Sequence, residues 1–193
     1  MSLRLSGGRN LQSPPGSTAR PTPSRVRLAV MNMLAAELPG AHWLDLFSGS
    51  GVMGCEALQR GAGAVLAIDQ DRRMTATSRA NLELVARGSS EQPAVQVVQQ
   101  EVLRWLTGTG PAALTAPFNQ AFDLIYADPP YAAGLYGQVA AAVAQGGWLQ
   151  PHGLLILECA SGNLPELPQG WTLEKQKRYG TSTVLLLSCC SGT

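Results

Sequence analysis

The chain has 193 residues, enough for one domain with a sizeable core, and 45 % hydrophobic against 14 % charged residues describes a globular protein and excludes a disordered one. No apolar run approaches the ~20 residues of a membrane span, and the first eight residues (Met-Ser-Leu-Arg-Leu-Ser-Gly-Gly) lack the apolar stretch of a secretory signal. The net charge of +1 hides an asymmetry: residues 1–36 carry Arg4, Arg9, Arg20, Arg25 and Arg27 and no acid, leaving a balance of −4 on the remainder. Such a segment suits either a local contact with a phosphate backbone or a solvated tail.

Residues 1–21, rich in Gly, Ser, Pro and Arg, read as an irregular basic arm preceding a domain over 22–193. Thr22-Pro23 reads as a helix start, a capping hydroxyl followed by proline at the first helical position. Val26, Ala29, Val30, Met33 and Leu34 then recur at helical spacing until Pro39-Gly40. Short apolar runs follow at 42–47, 64–68, 94–98, 122–127 and 153–157, separated by helix-compatible stretches at 52–60, 72–87, 101–107 and 135–145. Strands alternating with helices predict an α/β fold, a mostly parallel sheet covered on both faces. Residues 171–178 and 182–188 flank Gly180 without a helix between them and predict an antiparallel carboxy-terminal strand pair, and 108–121 read as a surface loop. Cys55, Cys159, Cys189 and Cys190 have no metal-ligand spacing, so reduced thiols, a cytoplasmic location and no metal site are expected. His42 and His152 sit beside Gly and Pro and read as loop residues.

Two motifs carry chemistry. Asp45-Leu-Phe47-Ser-Gly49-Ser-Gly51-Val-Met-Gly54 runs from a strand into a helix, where glycine permits a tight turn and close approach to a ligand. Asp69 ends the next strand, where a carboxylate can accept hydrogen bonds from ribose hydroxyls. The Gly-x-Gly-x-x-Gly spacing also fits a nicotinamide dinucleotide. Asp45 favours a different ligand: an acid before the glycines repels a pyrophosphate but attracts the sulfonium and α-ammonium of S-adenosylmethionine.

The second motif, Asp128-Pro129-Pro130-Tyr131, follows the run at 122–127. An exocyclic amine on a nucleobase is a weak nucleophile because its lone pair is delocalised into the ring. Asp128 and the Pro129 carbonyl can each accept one of its N–H groups and fix the lone pair toward a methyl donor, while Tyr131 offers a stacking face. The base must leave its stack to enter. The alternative is an ordinary proline turn.

Together these residues resemble the RsmD family of bacterial 16S rRNA guanine-N2 methyltransferases. Gly7-Gly8-Arg9 and Arg20-Pro-Thr-Pro-Ser-Arg25-Val-Arg27 are similar to its amino-terminal signature, and Asp45–Gly51, Asp128–Tyr131 and Tyr179-Gly180-Thr181 to its later blocks. The resemblance implies a Rossmann-like class I methyltransferase fold, S-adenosylmethionine as donor, and a guanine N2 amine of 16S rRNA or of the assembling small ribosomal subunit as acceptor. Asp45, Phe47, Gly49, Gly51 and Asp69 would hold the donor, with Glu101 in the region where related enzymes place an acid or amide near the adenine. Asp128, Pro129 and Tyr131 would hold the amine. Arg9, Arg20, Arg25 and Arg27, and a second patch of Lys175, Lys177 and Arg178, are the candidate phosphate contacts. Asp69 is one methylene shorter than the glutamate common in the family, and Met31 stands where an aromatic is common. Two other functions remain open on the residues alone: a nicotinamide-dependent oxidoreductase, and a non-catalytic RNA-binding or assembly module on the same fold. Within methyltransferases an adenine-N6 DNA enzyme also stays open, although no room for a separate target-recognition domain is expected in this chain.

Overall fold

The computed structural model describes residues 3–13, 23–108, 110–130 and 134–189. The described residues form fourteen strands and helices: β1 (Leu3–Arg4), β2 (Asn10–Leu11), α1 (Ser24–Met33), β3 (His42–Leu46), α2 (Val52–Gln59), β4 (Ala64–Asp69), α3 (Arg72–Ala86), β5 (Ala94–Gln99), α4 (Val102–Gly108), β6 (Phe122–Ala127), α5 (Tyr136–Gln145), β7 (Leu149–Ala160), β8 (Trp171–Tyr179) and β9 (Ser182–Cys189). Seven strands form one sheet in the order β5-β4-β3-β6-β7-β9-β8. β3, β4, β5, β6 and β7 run parallel, while β9 pairs antiparallel with both β7 and β8. This is the expected architecture, including the antiparallel carboxy-terminal pair.

The central strands read as continuous apolar runs because they are covered on both faces. One face packs Trp43, Val65, Leu124, Ile156 and Leu186 against α1, α2 and α3 through Val30, Ala57 and Leu82. The other packs Leu44, Leu66, Ile125, Leu155 and Leu185 against α4 and α5 through Trp105, Val139 and Val143. Trp105 stacks on Trp148, whose Nε1–H donates to the Leu106 carbonyl (2.9 Å) and so closes this layer.

Several expectations are corrected. Residues 3–13 are not irregular: β1 and β2 pair antiparallel, and Leu3, Leu5 and Leu11 enter the core beneath α1–α3. Two-residue strands show no period, so the sequence does not mark this hairpin, and Ser6-Gly7-Gly8 at its turn reads as part of an irregular stretch. Pro23 sits at the N-cap of α1, not inside it; its carbonyl accepts from Val26 and Arg27 N–H, and no side chain caps the helix. Thr22 lies outside the described residues. The 108–121 loop buries Phe118 against the α4–α5 layer. His42 and His152 lie in β3 and β7 instead of loops.

Candidate donor and acceptor site

The parallel register builds the site. Leu46 pairs with Ile68 of β4 and with Ala127 of β6, so the residues that follow these three strands emerge together at the carboxyl edge of the sheet. Phe47, Asp69 and Asp128 are therefore neighbours although up to 81 positions separate them in sequence. Ligands of open parallel sheets bind at this edge.

The turn after β3 assigns its residues distinct tasks. Phe47 has φ 58°, a left-handed conformation that a bulky side chain adopts only under constraint and that concentrates at functional sites. Gly49 (φ 52°) has open space where a Cβ would project, so this is the glycine that leaves room for a ligand. Gly51 (φ 73°) caps α2, and a Cβ there would lie 2.4 Å from Ser78 Oγ; it serves the close packing of α2 on α3. Of the two glycines expected at the ligand, Gly49 has open space beside it and Gly51 is packed against Ser78. The Ser48 hydroxyl, unassigned from sequence, is buried with no hydrogen-bond partner among the described residues.

Asp45 is only 1 % exposed. Its Oδ2 accepts the Gly54 N–H (3.1 Å), fastening the first turn of α2 to the sheet. Burial holds its carboxyl well above the usual carboxylate range, against the pull of the Gly54 amide, and the nearby charges of Asp69 and Asp128 raise it further. Asp69 accepts from Gly49 N–H (2.8 Å) and Asp71 N–H (2.9 Å), so it is already oriented at the rim of the turn. An open glycine face, an unpartnered buried hydroxyl and the acidic groups of Asp69 and Asp128 within electrostatic reach of Asp45 fit a cationic ligand and would disfavour a pyrophosphate.

Glu101 stands at the amino end of α4. Its two carboxylate oxygens accept the Leu103 (2.9 Å) and Arg104 (2.7 Å) N–H groups, capping α4. The sequence signal was available, an acid directly before an apolar helix.

On the acceptor side Asp128 is half-buried, Pro129 buried and Pro130 exposed; Tyr131 lies outside the described residues. Beneath them Tyr126 stacks on Trp43 (centroids 6.0 Å apart) and donates its hydroxyl to Glu158 Oε2 (2.6 Å). Burial pushes the Glu158 carboxyl up, opposed by the Tyr126 and Ser182 hydrogen bonds. Cys159 alongside it is raised to about 11 by burial and the Glu158 and Asp128 charges, which leaves it a protonated, inert thiol. Among the described residues no cluster of His, Cys, Asp or Glu has the makings of a metal site, and no helix is long and apolar enough to cross a membrane.

The basic residues divide. Arg27 is not a phosphate contact: it is 4 % exposed, its Nε donates to Glu56 Oε1 (3.3 Å) and its Nη2 to the Arg4 carbonyl (2.7 Å). A buried acid on α2 requires such a partner, and an arginine count cannot reveal it. Arg9 lies exposed on the carboxyl end of α3, donating to the Leu84 carbonyl (3.4 Å). Arg25, Lys175, Lys177 and Arg178 are exposed, and Arg20 lies outside the described residues. Lys175 and Lys177 pair with Leu186 and Val184, so they share the α1 side of the sheet with Arg25. Arg178 pairs with Thr183 on the opposite side and donates to the Gly180 carbonyl (3.1 Å).

Known proteins match this geometry throughout. A family model described as Conserved hypothetical protein 95 matches residues 5–188. Ribosomal RNA small subunit methyltransferase D of Escherichia coli (strain K12) is 32 % identical over 174 residues, covering 90 % of this chain and 81 % of its own length. The protein of the same name from Haemophilus influenzae is 32 % identical, covering 90 % and 84 %. A solved structure of the Escherichia coli protein yhhF superposes with a TM-score of 0.80 at 30 % identity, covering 98 % of both chains. An RNA methyltransferase from Salinibacter ruber, solved with S-adenosyl-L-homocysteine, shares the fold at a TM-score of 0.64 and 13 % identity, covering 90 % of this chain and 96 % of its own. The fold is the Rossmann-like methyltransferase fold, and the chain belongs to the family described as Conserved hypothetical protein 95, the RsmD family.

Proposed function

We propose that this protein transfers a methyl group from S-adenosylmethionine to the exocyclic N2 amine of a guanine in 16S rRNA, acting in the cytoplasm on the RNA or on the assembling small subunit. The observation that carries the proposal is the register of β3 against β6, which sets the glycine turn and Asp128-Pro129-Pro130 side by side. S-adenosylmethionine, when bound, supplies an electrophilic methyl on a sulfonium. The residues that would hold it are Phe47, Ser48 and Gly49 of the turn and Asp69 at its rim, with Asp45 contributing negative potential from behind the turn.

Asp128 accepts one N–H of the amine and the Pro129 carbonyl the other, which localises the nitrogen lone pair as the new bond forms. No covalent enzyme intermediate is needed, and the departing amine proton passes to a carboxylate oxygen or to solvent. The choice of guanine in small-subunit rRNA rests on the RsmD resemblance and on relatives that bear the name Ribosomal RNA small subunit methyltransferase D. The RNA contacts are assigned to Arg25, Lys175 and Lys177 on one side of the sheet, with Arg178 on the opposite side and Arg9 exposed beside α3.

The test is to incubate the protein with labelled donor and small subunits from a strain lacking the methylation, then digest the rRNA and identify the labelled nucleoside by mass spectrometry. N2-methylguanosine is expected. Label in N6-methyladenosine, or none, would overturn the assignment.

A further inference from the structure

Glu158 of β7 lies behind the acceptor turn and is 1 % exposed, too deep to touch a substrate. It forms no ion pair among the described residues. Ile156 and Leu157 before it fill the two apolar layers, and another apolar side chain at this position would spare the cost of burying a carboxyl. Its hydrogen bonds indicate what the carboxyl is for. Oε2 accepts the Tyr126 hydroxyl (2.6 Å), the Ser182 side chain bonds the same carboxyl, and the Glu158 backbone carbonyl accepts the Tyr136 hydroxyl (3.1 Å).

These contacts grip the chain on both sides of Asp128-Pro129-Pro130. Tyr126 stands two residues before Asp128, near the end of β6, and Tyr136 opens α5. The stack of Tyr126 on Trp43 gives its ring a fixed direction. Glu158 is itself held by β9, where it pairs with Val184. Ala127 pairs with Leu157, so Asp128 and Glu158 are the next residues along the two chains. The two prolines restrict the shape of the acceptor turn, but not where that shape stands relative to the sheet. The Tyr126 and Tyr136 bonds supply this second constraint, and both end on one residue.

We infer that Glu158 is a positioning residue for methyl transfer: by holding Tyr126 and Tyr136 it sets Asp128 where the acceptor amine must meet the methyl group. This rests on the methyltransferase function proposed above. A misplacement of about 1 Å at a reacting centre costs on the order of 10²-fold in rate, so a bond that holds Asp128 from behind governs rate without touching substrate. Its loss appears in kcat and not in the KM for the donor, whose residues lie on the other turn.

The experiment follows methyl transfer to unmethylated small ribosomal subunits and reads kcat, the KM for S-adenosylmethionine and the melting temperature of each variant. Tyr126→Phe removes the hydroxyl and keeps the ring on Trp43. It should lower kcat by about tenfold, leave that KM within about twofold of wild type and lower the melting temperature by only a few degrees. Glu158→Leu should lower kcat at least as far. Glu158→Gln keeps an acceptor for the Tyr126 hydroxyl and should bring kcat back to within about threefold of wild type. The route through Asp128 is read from a double-mutant cycle: in an Asp128→Ala background, Tyr126→Phe should cost less than about twofold further. A merely structural network would lower the melting temperatures and leave kcat, measured well below the transition, close to wild type; that result overturns the inference. So does a Tyr126→Phe loss of equal size with and without Asp128, or a Glu158→Gln variant as slow as Glu158→Leu. If Glu158→Leu fails to fold, Tyr126→Phe and the cycle decide the matter. These results with an active wild type overturn the positioning role alone. A wild type that transfers no methyl group overturns the methyltransferase function with it.

Discussion

The two turns that meet at the carboxyl edge of the sheet are built by opposite means. After β3 the chain is over-determined: three positive-φ positions at alternate residues, Phe47, Gly49 and Gly51, are locked by Ser78 against Gly51, by the Gly54 amide on Asp45 and by the Gly49 amide on Asp69. After β6 the chain is fixed by covalent restriction instead, since two prolines limit their own backbone and that of the residue before each. Asp128 is half-buried there and Pro130 exposed. The first turn stores structure in its neighbours; the second stores it in its own rings. Defects in the first should therefore spread into stability, and defects in the second should remain confined to chemistry.

Asp128→Ala is the sharpest way to test that division. Turnover should fall by ~10²–10³-fold, the scale set by losing one positioned group at a reacting centre, while donor affinity stays within a few-fold and the melting temperature stays close to wild type. Turnover near wild type would remove Asp128 from the chemistry. A large loss of stability would instead show that the second turn is as embedded as the first.

The glycines of the first turn should separate from each other. Gly51→Ala adds a Cβ into Ser78 at a positive φ and should destabilise the fold by about 2–4 kcal/mol, read as a drop in melting temperature. Gly49→Ala meets nothing within 4 Å, so only its φ opposes it, at about 1–2 kcal/mol. Its main effect should be on donor affinity, by tenfold or more in calorimetry. Equal stability losses in the two variants would break the assignment of Gly51 to packing and Gly49 to the ligand.

Much of this site was legible before any coordinates. Alternating apolar runs locate β3 to β7 because doubly covered strands are necessarily apolar along their length, and a glycine turn and an acid–proline turn at strand ends identify the edge that binds. What sequence could not show was which partner each polar residue chooses. Arg25 and Arg27 look equivalent two positions apart, yet two positions of an α-helix separate by roughly 200°, so one faces solvent and the other faces Glu56 in the core. Asn81 likewise looks like an interruption of the apolar stripe of α3, because its partners Gln12 and Ser50 are 69 and 31 positions away. The hairpin was invisible for a related reason: Leu3, Leu5 and Leu11 are too few to show a period, and the layer that buries them is assembled from distant helices.

Asp45 offers the most delicate probe of the first turn, because stability and ligand binding should move in opposite directions there. Its carboxyl lies well above the usual carboxylate range in the folded protein, chiefly through burial. A group raised on folding contributes its full stability below its unfolded value of about 3.9 and loses that contribution as pH rises through the folded value. At neutral pH Asp45 is therefore a cost to the free protein. Asp45→Asn keeps an oxygen for the Gly54 N–H and removes the titration, so melting temperature should rise at pH 7.5, on the scale of the ~0.5–2 kcal/mol gained when a functional strain is relieved. The gain should shrink toward pH 4.5. Affinity for S-adenosylmethionine should fall by tenfold or more in the same variant, since the negative potential facing a cationic ligand is lost. A variant no more stable than wild type at pH 7.5, with donor affinity unchanged, would mean that Asp45 is held in place for the Gly54 hydrogen bond alone.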